Sequence, residues 1–199
     1  MNPYKQEIVQ SVVNQFYARF FSDHSPRVFL LGINPGRFGG GVTGISFTDP
    51  KALREHCGIA HSLPASAELS SRFVYEVIHA FGGAAAFYRH FYLGALYPLA
   101  LVRNSKNYNY YDEPGLFASL KPAIVHSLQQ QITFDADRRV VICLGRKNAE
   151  YLRKLNHEYH FFEKIVPLDH PRYIMQYKTR QIAQYVAEYQ KVLSACLEK

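Results

Sequence analysis

The segment Arg27-Val-Phe-Leu-Leu-Gly-Ile33 is apolar at consecutive positions from Val28 onward instead of at every second one. A strand with one face in water would alternate, so this one reads as buried on both faces, the signature of a parallel sheet covered by helices. Phe91–Leu101 and Arg139–Leu144 have the same character, and Glu163–Leu168 is a weaker fourth run. Helical candidates lie between them. Ile8, Val12, Val13, Phe16 and Phe20 recur at helical spacing before Pro26 ends the segment, and further helices are expected near Leu69–Phe81, Lys121–Gln131, Lys147–Leu155 and Thr179–Leu197. Strands alternating with helices predict an α/β fold, a three-layer α/β/α sandwich around a central four-stranded parallel sheet. With no repeat, low-complexity tract or linker, residues 1–199 read as a single domain.

Ligands of such sheets bind beyond the carboxyl ends of the strands. Three unusual segments fall there: Gly32–Phe47, the Asn- and Tyr-rich stretch from Arg103 to Tyr111, and Asp169–Lys178. The first packs Gly36, Gly39, Gly40, Gly41 and Gly44 behind Gly32, as a loop that turns sharply and admits a ligand close to its backbone. It lacks the Gly-Lys-Ser/Thr of a P-loop and the spacing of a dinucleotide fingerprint, which demotes generic nucleotide binding.

Composition narrows the partners. Lys and Arg outnumber Asp and Glu by 23 to 16, a formal charge of +7 that attracts polyanions, nucleic acid first among them. Cys57, Cys143 and Cys196 form no CxxC pair and no metal-ligand spacing, so reduced thiols are expected, without metal or other cofactor. No apolar stretch approaches the roughly 18 residues of a membrane span, and the N-terminus lacks a signal-peptide pattern. A cytoplasmic monomer without membrane contact is the expectation.

Four ordered motifs then carry a resemblance. Gly32-Ile-Asn-Pro-Gly36 resembles motif one of the mismatch-specific uracil/thymine-DNA glycosylases. Its continuation through Phe38-Gly39, Thr43-Gly44 and Phe47 is similar, without a gap, to the single-strand-selective monofunctional uracil-DNA glycosylases. Ala86–Leu99, followed by Ser105-Lys-Asn107, resembles the strand-two region of that family and its Gly-Arg-Asn. Leu144-Gly-Arg146 is similar to its Val-Gly-Arg, and Leu168-Asp-His-Pro171 to its motif two.

The resemblance implies a monofunctional DNA glycosylase of the uracil-DNA glycosylase superfamily, removing uracil and other deaminated bases from DNA in base excision repair. It implies that Asn34 positions the water attacking C1′ of the deoxyribose, that His170 hydrogen-bonds O2 of the departing base, and that Phe47 stacks on the base after extrusion from the helix. Asparagine orients water but cannot take a proton as a carboxylate would, so a mainly dissociative mechanism is expected. Ile33, Gly36, Ala95 and Asn107 complete the expected base pocket. Lys106, Arg146, Lys147 and Lys178 are expected phosphate contacts, and one of Arg172, Tyr173, Ile174 and Met175 is expected to wedge into the duplex.

Each assignment has a plainer alternative. Asn34 before Pro35 suits a turn, Phe47 suits a core, His170 suits a hydrogen-bonded strand end, and each cation suits a solvated surface. Two departures from the family pattern also stand out. Arg172-Tyr173 replaces the Ser-Pro of His-Pro-Ser-Pro, and Ala95 occupies the place of the uracil-reading asparagine. Alanine cannot hydrogen-bond a base edge, so backbone near Ile33 and Phe47, or Asn107, is the expected substitute reader. Two rival functions remain at this point. One is a non-catalytic DNA- or nucleotide-binding module on the same fold; the other is a small-molecule glycosidase, which would need acidic residues flanking the scissile bond or a metal site, where the glycine-rich loop offers only Asp49.

Overall fold

In the computed structural model, residues 1–198 are described and build a four-stranded parallel sheet between two layers of helices. The strands are β1 (Arg27–Gly32), β2 (Phe91–Ala95), β5 (Ala136–Leu144) and β6 (Lys164–Leu168), in the order β2-β1-β5-β6. β1 lies inside the sheet, with Leu31 paired to Gly94 on one side and to Cys143 on the other. The unbroken apolar run follows from that position, since neither face of β1 meets water.

Successive residues of β1 feed opposite layers. Val28 and Leu30 pack with α1 (Glu7–Phe20), α4 (Leu69–Ala80), α5 (Ala84–His90) and α9 (Ile182–Leu197). Phe29 and Leu31 pack instead with α6 (Leu116–Ile132) and α7 (Arg146–Tyr159). The expected α/β/α sandwich and its four parallel strands are therefore present.

Local boundaries differ where a second signal competes with hydrophobicity. The second strand stops at Ala95 instead of running to Leu101; Leu96 and Tyr97 still donate to the carbonyls of Gly32 and Ile33, and Pro98 then has no N–H to continue the ladder. Leu101–Arg103 becomes β3, which pairs antiparallel with β4 (Lys106–Tyr108) in a small hairpin, so the stretch expected as loop is partly strand. Asn104 and Ser105 turn it with φ of +49° and +57°. The helix expected from Lys121 begins at Leu116 and runs through Pro122. The segment after His170, expected as a loop, is the helix α8 (Pro171–Tyr177); His170 caps it and Pro171 occupies its first turn, where a missing N–H costs nothing. Short helices α2 (Gly40–Thr43) and α3 (Pro50–Glu55) fold the glycine-rich connection back against α1 and α4.

Asp49 ties that connection down. Its Oδ1 accepts the N–H of Ala52 at 2.8 Å and caps α3, while Oδ2 accepts the N–H of Glu68 at 2.9 Å, just before α4. The residue noted as the one acid of the glycine-rich region is thus buried and occupied with backbone. Replacing it with alanine orphans one buried and one half-buried donor, so Asp49→Ala is expected to lower unfolding free energy by about 1–3 kcal/mol, read as a lower midpoint in urea with an unchanged slope.

Candidate active site

The carboxyl ends of β1, β2 and β6 open onto one cavity of about 380 Å³, whose lining includes Ile33, Asn34, Gly36, Phe47, Ala95, Asn107 and His170. All seven residues expected to handle water and base are gathered there from three distant stretches of chain. Arg172 and Tyr173 reach its rim.

Asn34 is held from behind. Its Nδ2 donates to the carbonyl of Tyr108 at 3.1 Å and lies 3.5 Å from that of Pro35. An oxygen in that position would face two carbonyl oxygens, so the amide has one sensible orientation, and its buried Oδ1 has no protein partner. That oxygen can accept a hydrogen from a water. The chain two residues beyond the Tyr108 carbonyl is fixed by a residue the sequence did not single out. Asn148, fully buried at the start of α7, donates to Leu31 O at 3.2 Å and accepts Tyr110 Oη–H at 2.5 Å, stitching the segment after the hairpin to the sheet.

His170 stands opposite. Its Nδ1 accepts the N–H of Arg172 at 3.1 Å, which puts the proton of the neutral ring on Nε2. Burial, with Arg172 nearby, pushes its pKa down to about 4. The residue before it is anchored threefold: Arg146 Nε donates to Asp169 Oδ1 at 2.7 Å, Tyr185 Oη to Oδ2 at 3.4 Å, and Tyr189 Oη to the Asp169 carbonyl at 2.5 Å.

Phe47 has φ of +56°, a backbone conformation that non-glycine residues adopt at a cost. A buried threonine network stabilises it. Thr43 Oγ1 donates to Thr48 O at 2.6 Å, and Thr48 Oγ1 meets Tyr75 Oη at 3.0 Å. The ring then lies over Gly32, where an added Cβ would come within 2.4 Å of its Cζ, and stands 6.0 Å from the His170 ring. Glycine at 32 is what lets an aromatic plate cover the end of β1.

Other expectations land differently. Ala95 lies in the wall and offers a methyl group only. Asn107 Oδ1 is committed to the N–H of Arg37 at 3.0 Å, leaving Nδ2 as its free polar group. Ile174 and Met175 are corrected as wedge candidates: both are buried on the side of α8 that packs on α4, while Arg172 and Tyr173 are exposed. Lys106, Arg146, Lys147 and Lys178, expected at phosphates and not at the base, lie outside the cavity lining; Arg146 pairs with Asp169, and Lys147 sits 4.6 Å over the Tyr111 ring.

One acid was missed. Glu68 lines the cavity beside Gly36, with Ser70 Oγ donating to its Oε1 at 2.7 Å. Burial raises its pKa, an effect opposed by the Ser70 hydrogen bond, Arg172 and the backbone N–H of Gly39 and reinforced by Asp49. No local pattern marks it, because it enters through the packing of α4 on the glycine-rich loop.

Known proteins with this pattern decide the lineage. The family model described as "Uracil DNA glycosylase superfamily" matches residues 18–194. The chain belongs to that superfamily. A crystal structure of wild-type SMUG2 from Pedobacter heparinus superposes with a TM-score of 0.93 at 43% sequence identity, covering 98% of this chain and 87% of that one. Among curated proteins no relative matches. The chain is accordingly a uracil-DNA glycosylase-type enzyme, a hydrolase of N-glycosyl bonds in DNA.

Two outcomes check the geometry. Gly32→Ala drives a methyl into the Phe47 ring and is expected to reduce base release by more than tenfold, while the urea midpoint falls only modestly. His170 binds a proton less readily folded than unfolded, so its contribution is full above its unfolded pKa near 6.5 and is lost as pH falls toward about 4. The melting temperature of the wild type should therefore drop more steeply over that window than that of His170→Gln.

Proposed function

We propose that the enzyme hydrolyses the N-glycosidic bond of uracil, and of other deaminated bases, in DNA to leave an abasic site for base excision repair. The observation that carries this reading is the pairing of an unpartnered acceptor, Asn34 Oδ1, with a neutral donor, His170 Nε2–H, on one cavity roofed by Phe47.

An extruded base stacks on Phe47, with its O2 toward His170 and C1′ toward Asn34. As the C1′–N bond breaks, its electron pair moves onto the base and the sugar becomes an oxocarbenium ion. His170 strengthens its hydrogen bond as O2 gains charge. The water held by Asn34 adds its oxygen to C1′, and its surplus proton leaves to solvent or to the departing base. Tyr173 is the wedge this reading selects, since it is exposed at the rim beside Arg172 and its ring lies 5.5 Å from that of Tyr177. The formal charge of +7 supplies attraction to the backbone.

Labelled DNA carrying one uracil, incubated with the protein in EDTA and developed with alkali, tests the reading. Wild type is expected to give alkali-labile product, with His170→Ala and Asn34→Ala each slower by about 10²–10³-fold. Absence of product on single and double strands, with hypoxanthine and xanthine also offered, would leave a DNA-binding role without chemistry.

A further inference from the structure

The cavity contains a second unpartnered acceptor besides Asn34 Oδ1: the buried Oε2 of Glu68. Its carboxylate occupies the space that side chains would take on the glycine-rich loop. A Cβ on Gly36 would lie 2.3 Å from Glu68 Oε1 and 2.4 Å from Oε2, and one on Gly39 would lie 2.2 Å from Oε2. Two glycines of the loop therefore make room for one carboxylate. The other oxygen is already used, since Oε1 accepts from Ser70, and the main chain of Glu68 is pinned by Asp49. The Gly39 N–H lies beside this carboxylate but is given to Gly36 O at 3.2 Å, so a fixed acceptor whose second oxygen has no donor of its own in a ligand cavity calls for one from the ligand.

The base edge has no amide reader at position 95. Gln131, the amide that approaches that position, donates to the Ala95 carbonyl at 3.0 Å from behind and does not line the cavity. Asn107 retains only a free donor. A base recognised by this pocket therefore meets an Nδ2–H from Asn107 and a carboxylate oxygen from Glu68. Uracil offers the complement, a ring N–H next to carbonyl oxygens, whereas cytosine has a bare ring nitrogen at the same place.

We propose that Glu68 is a specificity-determining residue, accepting the ring N–H of the extruded base in place of the amide that Ala95 lacks. The inference rests on the glycosylase reading above and assigns the recognition of the base, not the breaking of its bond.

Binding separates the two. Oligonucleotides carrying one 2′-fluoro-deoxyuridine, one 2′-fluoro-deoxycytidine or one tetrahydrofuran abasic analogue resist hydrolysis, and their dissociation constants are read by fluorescence anisotropy. Wild type should hold the uracil probe above the cytosine probe. Glu68→Ala should shrink that ratio by roughly 5- to 100-fold, the worth of one good base contact, with abasic affinity within about twofold of wild type. Glu68→Gln keeps the fit against Gly36 and Gly39 and, with its oxygen held by Ser70, turns an N–H toward the base; it should move the preference toward cytosine. Parallel weakening of all three probes in both variants would overturn the proposal in favour of a structural role. An unchanged ratio with slower uracil release would overturn it in favour of proton transfer. A wild type that releases uracil without preferring the uracil probe sinks the Glu68 assignment alone, whereas a wild type that releases no base sinks the glycosylase reading and this one with it.

Discussion

The pairing of β1 with β2 on one side and β5 on the other is the constraint on which the site depends. It fixes the end of β1, and with it Gly32, to within the tolerance of a hydrogen-bond ladder, and the next residues deliver Asn34 and the loop that returns as Phe47. Parallel strands present their carboxyl ends on one edge, so β6 brings His170 to the same edge without any direct tie between residues 34 and 170. The chemistry is then aimed by short-range bonds from outside the sheet. Tyr108 turns the Asn34 amide, Arg172 N–H selects the His170 tautomer, and the bare backbone of Gly32 lets Phe47 settle.

A strained backbone and two buried, unpaired acceptors meet at the cavity. Phe47 holds a left-handed backbone, and Asn34 Oδ1 and Glu68 Oε2 are buried acceptors without donors. Each costs stability in the free protein. The threonine and tyrosine network beneath Phe47, the cap by Asp49 and the three contacts on Asp169 supply rigidity around them. A substrate that donates hydrogens to those acceptors recovers in the complex what the empty cavity gives up.

The sequence was most legible where one local rule acted alone. Double-sided burial reported β1 and β5, and the ordered short motifs placed Asn34, Phe47 and His170 on one cavity. It was misleading where two rules overlapped. Pro171 behind a capping residue is a helix start, and Ile174 and Met175 belong to the buried side of that helix, yet their mixture with cations reads as a penetrating loop. It was silent where position arises only from tertiary packing. Glu68 precedes α4 like many surface acids, and Asn148 opens α7 like many polar helix residues; neither has a neighbour in sequence that reveals the cavity or the hairpin it serves.

The depressed basicity of His170 suits a reaction in which charge appears late. A permanent imidazolium at this depth would need its own desolvation balanced, and it would attract the phosphates of any DNA, lesion or not. The neutral ring avoids both. In the proposed reaction its Nε2–H makes an ordinary hydrogen bond to a neutral carbonyl in the ground state and a charge-assisted one once the bond to C1′ has stretched, so the added strength arrives at the transition state. The proposed role of Asn34 follows the same logic, since an uncharged acceptor orients water without repelling the electron-rich base that is leaving. The one carboxylate lining the cavity, Glu68, lies against Gly36 and Gly39, where burial raises its pKa against the opposing pull of Ser70 and Arg172. On the proposed reading, two neutral groups act at the bond and the acid acts at the base edge, so that base identity and bond cleavage are tuned by different residues.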